Sequence, residues 1–292
     1  MIKNYLGPIY LTLAASIWGG MYVVSKMVLT FIAPLELVWF RYIVALITLV
    51  AIGIATGQAW KIQKKDMLLI FFIGLIGYFV SIWAQFAGTQ LSSAQMGAII
   101  TSATPAFMVL FARLILKEKI TLRKGISVCL ATIGVLCIIG IGDIGNSSQL
   151  GGMILGIAAL TWAFMSVLVK KVPSCYSQLV VTTYAILVAT VAMTPLVITK
   201  INIVQIQYVL VQPIVWGGIL YLGIVSTAGA FFFWNKGLQM VDATRAGIYF
   251  FFQPLVGTLL GYLFLGEQVG IGFWMGTLLI IGGVLLVVKE PS

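Results

Sequence analysis

Residues Gly74 to Leu136 recur as Gly223 to Leu285, 149 positions further on, and the two copies carry their charges differently. The landmarks coincide in one register: Gly74 with Gly223, Gly88 with Gly237, Gln90 with Gln239, Ala94 with Ala243, Pro105 with Pro254, Leu116 with Leu265, Glu118 with Glu267 and Gly134 with Gly283. A second match carries the repeat to the beginning of the chain. Ala14, Ala15, Trp18 and Lys26 correspond to Ala158, Ala159, Trp162 and Lys170 at a spacing of 144.

The repeated unit belongs in a bilayer. With 61% apolar residues, 8% charged residues and a mean hydropathy of +1.13, the chain has too little polar surface to cover a soluble fold. Crossing the hydrocarbon takes about 20 residues of helix, whose backbone satisfies its own hydrogen bonds. Ten apolar runs meet that length, near 6–27, 33–56, 67–89, 93–116, 123–141, 152–170, 176–199, 212–236, 244–265 and 269–288; we call them spans 1 to 10. Span 1 follows Lys3 as a secretory signal would, but as the first helix of a repeated unit it is expected to stay in the mature protein. The fold expected is all-α and integral to the membrane.

Basic residues orient the spans, because they are retained on the cytoplasmic side. With the amino terminus inside, Lys61, Lys64, Lys65, Lys117, Lys119, Arg123, Lys124, Lys170, Lys171, Lys236, Arg245 and Lys289 fall inside, and only Lys26 and Lys200 fall outside. Arg113 is near enough to the inner end of span 4 to snorkel there. Five helices per unit is an odd number, so residues 1–141 and 152–288 must enter the membrane upside down relative to each other. The charges agree: Leu116–Lys117–Glu118–Lys119 ends span 4 inside, and its mate Leu265–Gly266–Glu267–Gln268 ends span 9 outside without a Lys. The net charge of +10 is thereby a matter of topology, and no nucleic-acid partner is expected.

Two inverted five-helix units are the build of a secondary transporter, with a binding site near the midplane and alternating access by rocking around it. A channel needs no such pseudo-symmetry. An intramembrane enzyme needs a nucleophile with an oriented base or a metal set, and the chain has no His and no acid cluster within a span. No catalytic residue, metal site or cofactor is read from it.

Particular motifs carry a family resemblance. They are Ala15–Ser16–Ile17–Trp18–Gly19 in span 1, Arg41 in span 2, Pro105 and Leu116 to Glu118 in and after span 4, and Gly134–Val135–Leu136 in span 5; in the second unit, Gly237–Leu238, Pro254, Leu263 to Glu267 and Gly282 to Leu285. By these motifs the chain resembles the ten-helix branch of the drug/metabolite transporter superfamily, built from two EamA repeats, over essentially its whole length. The resemblance implies a multi-pass plasma-membrane carrier with both termini cytoplasmic, often an exporter of amino acids or other small metabolites. Drug or toxic-compound efflux is the alternative. Small multidrug transporters of that superfamily carry a membrane-embedded Glu in the first helix, whereas Tyr10 to Met27 holds no acid.

Polar residues inside spans mark the expected path, since they are costly unless partnered or facing water. Tyr78, Ser81, Gln85 and Thr89 share one face of span 3 by their spacing. Span 4 offers Gly97, Thr101 and Thr104, and Phe250 and Gln253 hold the positions of Thr101 and Thr104 in span 9. Trp18, Tyr22 and Ser25 in span 1, Trp162 and Ser166 in span 6, and Thr227, Trp234 and Asn235 in span 8 complete a ring-rich cavity for an amphipathic or aromatic small molecule. Interhelical packing is the competing reading for each.

Arg41 needs a partner, and Glu36, five positions earlier and about 140° round the helix, is poorly placed to be one. A backbone carbonyl or a substrate carboxylate would also serve; a structural or gating role is favoured. A midplane carboxylate is missing and Glu36 lies near the outer end of span 2, so proton coupling has little support. Pro105 and Pro254 are expected to kink spans 4 and 9 and let them gate. The pairs Gly257/Gly261 and Gly272/Gly276 permit close helix contact, within one molecule rather than between two. Cys129, Cys137 and Cys175 read as packing residues. Gly140 to Gly145 spells a dinucleotide-type pattern without the strand it needs, and Asn146–Ser147–Ser148 is a sequon. Beyond a small-molecule substrate and the lipid bilayer, no obligate protein partner is expected.

Overall fold

The computed structural model describes residues 3–117, 120–139, 147–200, 207, 209, 211–238, 240, 249–250 and 252–288, the side chains of 3–5, 139, 235, 238, 284, 287 and 288 aside. Among them there is no strand. The elements are α1 (Lys3–Val28), α2 (Pro34–Ala55), α3 (Lys64–Phe72), a π-helical stretch π1 (Ile73–Ser81), α4 (Ile82–Leu91), α5 (Ala94–Ser102), α6 (Thr104–Leu116), α7 (Leu122–Ile139), α8 (Ser147–Val169) and α9 (Gln178–Lys200). After them come α10 (Pro213–Leu220), a second π stretch π2 (Tyr221–Gly229), α11 (Ala230–Leu238), α12 (Phe252–Leu265) and α13 (Ile271–Val288). Seven continuous helical stretches are long and apolar enough to cross a bilayer: Leu6–Val28, Pro34–Ala55, Lys64–Leu91, Ala94–Leu116, Ser147–Val169, Gln178–Lys200 and Pro213–Trp234. Phe252–Leu265 and Ile271–Gly283 are shorter apolar helices.

The distribution of side chains is inverted relative to a soluble protein. Ile47, Ile54, Leu114, Phe264 and Leu278 face outward, while Arg41, Gln85, Gln95 and Gln253 are buried. A continuous apolar exterior of this kind is stable only against lipid. The protein is a multi-pass membrane protein.

Packing partners come in matched pairs. α1 packs on α12 and on π2 with α11; α8 packs on α5 and α6 and on π1 with α4. π1 lies against α9 as π2 lies against α2, and α2 also packs on α9 and α7 on α13. Small residues set the approach. A Cβ on Gly134 would stand 2.7 Å from the Gly276 carbonyl oxygen, and one on Gly88 would stand 2.7 Å from that of Gly151. Gly257 and Gly261 meet Ala98 and Gln95, and Gly272 meets the Cys137 carbonyl. Both glycine pairs in the second unit are therefore spent within the molecule, as their spacing predicts.

The described helices bear on three sequence expectations. Span 4 is interrupted beside its proline, where a missing N–H was expected to bend it: α5 ends at Ser102, Ala103 turns, and Pro105 is the second residue of α6. At the start of α6 the missing N–H has no intrahelical acceptor to lose, so Pro105 is accommodated there. Of span 9, Tyr249, Phe250 and α12 from Phe252, with Pro254, are described; residues 244–248 and 251 lie outside the described residues. Cys129 and Cys175 are exposed and Cys137 is half-buried, so the first two do not pack the core. The dinucleotide-type pattern at 140–145 and Asn146 lie outside the described residues.

Two helix ends are closed by the same backbone device. Lys117 (φ 58) follows α6 and Gly266 (φ 63) follows α12, both left-handed, at positions 149 apart. Glycine adopts that conformation without a Cβ penalty, and Lys117 does not. Glu267 then reaches α5: its Oε1 and Oε2 accept the Ala94 and Gln95 N–H groups at 2.7 and 3.0 Å. The Ser93 side chain takes the Met96 N–H at 2.9 Å and the Ser93 carbonyl takes that of Gly97 at 3.1 Å. The first three N–H groups of α5 are thus satisfied by side chains, and the fourth opens the helical ladder.

Lys26 closes the facing helix end. Its Nζ donates to the carbonyls of Thr89, Gln90 and Ser92 at 2.9, 2.7 and 2.6 Å, capping the carboxyl end of α4. The basic residue that breaks the charge asymmetry is thereby consumed. Its mate Lys170 is exposed. At the opposite end, Tyr176 accepts the Gln63 N–H at 3.2 Å and donates to Asp66 at 2.7 Å, joining the 56–63 connection to the α8–α9 turn. Losing that donated bond would leave two anions in contact, which raises the Tyr176 phenol above its ordinary range.

Candidate functional site

The π stretches are the local feature that shapes the interior. Hydrogen bonding to the fifth residue back widens the helix and shifts the phase of every side chain after it. π1 begins at residue 73 and π2 at 221, within one residue of the 149 spacing. Each is braced by a side chain: the Tyr42 hydroxyl donates to the Tyr78 carbonyl at 2.7 Å, and the Trp18 indole N–H donates to the Ser226 carbonyl at 3.2 Å. Within π2, the Thr227 hydroxyl bonds the Leu222 carbonyl at 2.7 Å.

Between α1, α2, π1, α4, α5, α6, α8, π2, α11 and α12 lies a cavity of about 660 Å³, open in part to solvent. Of the residues expected on the path, Trp18, Tyr22, Tyr78, Ser81, Gln85, Thr101, Thr104, Trp162, Thr227, Phe250 and Gln253 line it. Arg41 lines it too, 3% exposed. The sequence reading missed Met21, Tyr42, Ile82, Ala158 and Phe231. Four of these are apolar residues without a polar signal; Ile82 and Phe231, however, are 149 apart, so the repeat itself offered them.

Other expected residues fall elsewhere. Thr89 and Ser166 turn back on their own helices, bonding the Gln85 and Trp162 carbonyls at 2.8 and 2.7 Å. A hydroxyl satisfied by the carbonyl four residues back makes no demand on a ligand. Ser25 bonds the Tyr22 carbonyl at 2.9 Å, and Gly97 lets Tyr22 lie against α5. Trp234 stands behind the wall, its ring 5.3 Å from Trp18 and 4.5 Å from Phe250. Asn235 lies outside the residues whose side chains are described. Glu36 and Pro105 do not line the cavity, nor does Pro254.

Four polar groups form one directed chain. The Thr101 hydroxyl donates to the Gly97 carbonyl at 2.7 Å, so its oxygen is left to accept. It accepts from Gln253 Nε2 at 2.9 Å and from the Tyr22 hydroxyl at 2.5 Å, and Tyr22 in turn accepts from Gln85 Nε2. The chain ties α4, α1, α5 and α12 together across the cavity. The remaining wall is aromatic: Tyr78 sits 5.8 Å from Trp162 and 6.2 Å from Phe231, and Trp18 sits 5.7 Å from Phe231 and 5.9 Å from Phe250.

Among the described residues, no acid lies beside Arg41. Its Nε donates to Thr227 Oγ1 at 2.8 Å, its Nη1 reaches Met21 Sδ at 3.5 Å, and its guanidinium lies 5.3 Å from the Phe86 ring centre. Among the described carboxylates, Asp66 and Glu267 are engaged elsewhere and Glu36 makes no bond to it.

Comparison with known proteins places this geometry in context. The family described as the EamA-like transporter family matches residues 5–140 and 149–289. An uncharacterized transporter of Archaeoglobus fulgidus is 25% identical over 97% of this chain and 98% of its own length. The Bacillus subtilis uncharacterized transporter YetK is 24% identical over 100% of this chain and 91% of its own. A solved crystal structure with 17% identity superposes with a TM-score of 0.64, covering 98% of this chain and 97% of its own, and shares the fold.

Proposed function

The chain belongs to the EamA-like transporter family, and on that premise we propose that it is a secondary transporter exporting or equilibrating amino acids or related small metabolites across the plasma membrane. In this reading residues 1–141 and 152–288 are two inverted five-helix EamA repeats, ten spans in all, with both termini cytoplasmic. They rock about the cavity to expose it alternately to each side.

One observation carries the reading. Five pairs of repeat-related residues meet around the same cavity: Trp18 with Trp162, Tyr78 with Thr227, Ile82 with Phe231, Thr101 with Phe250 and Thr104 with Gln253. A cavity lined by both members of each pair lies on the axis relating the two units, which is where alternating access puts a substrate site. The matched packing of α1 and α8, and of π1 and π2, supports the same axis.

The substrate path runs over Trp18, Trp162, Tyr78 and Phe250 for ring stacking and over Gln85, Thr101 and Gln253 for polar contact. The test is efflux from proteoliposomes preloaded with labelled amino acids, aromatic ones included, with and without a pH gradient. Saturable efflux with counterflow, indifferent to the gradient, is expected. Non-saturable flux would mean a channel.

A further inference from the structure

We propose that the cavity recognises an organic carboxylate carrying an aromatic or apolar tail, and that Arg41 is the group that binds the carboxylate. The inference rests on the transporter reading and names the substrate class of that site.

The argument begins with charge. A guanidinium stays protonated in a protein and presents five N–H donors. Two are used by Arg41, toward Thr227 Oγ1 and Met21 Sδ, and thioether sulfur is a weak acceptor. Three donors remain, on a residue that is 3% exposed and borders the cavity. Arginine is the residue whose planar fork matches a carboxylate through two parallel bonds.

Among the described residues none neutralises that charge. The described lining contains no Asp or Glu, and its other polar members are hydroxyls, amides and two indole N–H groups, all neutral. A cation in a membrane interior without an anion is costly, and such residues mark substrate pathways. The chain of Gln85, Tyr22, Thr101 and Gln253 consists of neutral groups bonded to one another. It makes no demand for a second charge on the ligand, while the guanidinium does.

The rest of the lining selects the tail. Tyr78, Trp162 and Phe231 stand in ring contact, and Phe231 in turn touches Trp18. Rings opposite a single cation suit a ligand with one anionic end and one apolar end.

The experiment uses the purified full chain in detergent and three matched probes: 3-phenylpropionate, its neutral amide 3-phenylpropanamide, and the cation 3-phenylpropylamine, each titrated by calorimetry, with sodium chloride as a fourth titrant. Wild type is expected to bind the carboxylate at least about tenfold more tightly than the amide, as loss of a charged hydrogen bond implies. Arg41→Gln is expected to bring that ratio near one, and Arg41→Lys to keep part of it. The wild-type ratio needs no variant, so misfolding of Arg41→Gln leaves the proposal testable. Equal or tighter binding of the amide or amine overturns the proposal and leaves the transporter reading intact. Chloride binding that depends on Arg41 and excludes the carboxylate also overturns it. Failure of all three organic probes, with amino-acid efflux still saturable, overturns the proposal alone; failure of both removes the cavity reading with it.

Discussion

Glu267 lies outside the cavity, yet its replacement should be among the most damaging single changes in the protein. Its carboxylate is the acceptor for the Ala94 and Gln95 N–H groups, at 2.7 and 3.0 Å, and both residues are at most 2% exposed. Glu267→Ala strands two buried donors. Each costs about 1–3 kcal/mol when unpaired, and loss of a negative charge at a helix amino end adds up to about 1 kcal/mol, so the expected loss is about 3–5 kcal/mol. Glu267→Gln keeps one acceptor oxygen and turns an amide N–H₂ toward the other donor, for about half that cost. Equilibrium unfolding in mixed micelles measures both, with Glu36→Ala as a control expected within about 0.5 kcal/mol of wild type. An alanine variant within about 0.5 kcal/mol of wild type, or a glutamine variant worse than the alanine one, would refute the capping argument.

Lys26→Met removes the donor to three carbonyls at the carboxyl end of α4 and is expected to destabilise the protein by about 1–3 kcal/mol in the same assay, the carbonyls being only part-buried. Lys117→Gly relieves a left-handed residue and should stabilise by about 1 kcal/mol, whereas Gly266→Lys at the matched position should destabilise by as much. Gly134→Ala drives a Cβ to 2.7 Å from the Gly276 carbonyl oxygen and should cost about 1–3 kcal/mol by forcing α7 from α13. Because Pro105 sits in the first turn of α6, Pro105→Ala should leave stability within about 1 kcal/mol; substrate efflux from proteoliposomes then reports whether that helix start matters to gating.

The Glu118/Glu267 match illustrates how far sequence reasoning reaches. Its recurrence after 149 residues marks corresponding helix ends, and the lysines around Glu118 are missing around Glu267. Neither observation says what Glu267 bonds, because its partners are backbone N–H groups more than 170 residues earlier. The same holds for Lys26, an exception to the charge rule until the carbonyls of α4 are seen around it. Tyr78, Gln85, Thr101 and Gln253 were legible as polar groups inside spans, whereas Thr89 and Ser166 carry the same signal and bond only their own helices. A hydroxyl's choice between its own carbonyl and the cavity is a rotamer choice, and spacing does not encode it.

The sequence by itself determined the class of molecule. Apolar runs of bilayer length admit only membrane helices, and a repeat seen twice in one register admits only two related units, because hydrophobicity and periodicity are properties of consecutive residues. Tertiary structure decided the rest. Two π stretches re-phase the helices they interrupt, span 4 breaks at Ala103 beside its proline, and a guanidinium is left in a ring-lined cavity with no acid against it among the described residues. Those outcomes depend on which neighbour each backbone group and side chain meets in space, and a linear chain holds that only through its fold.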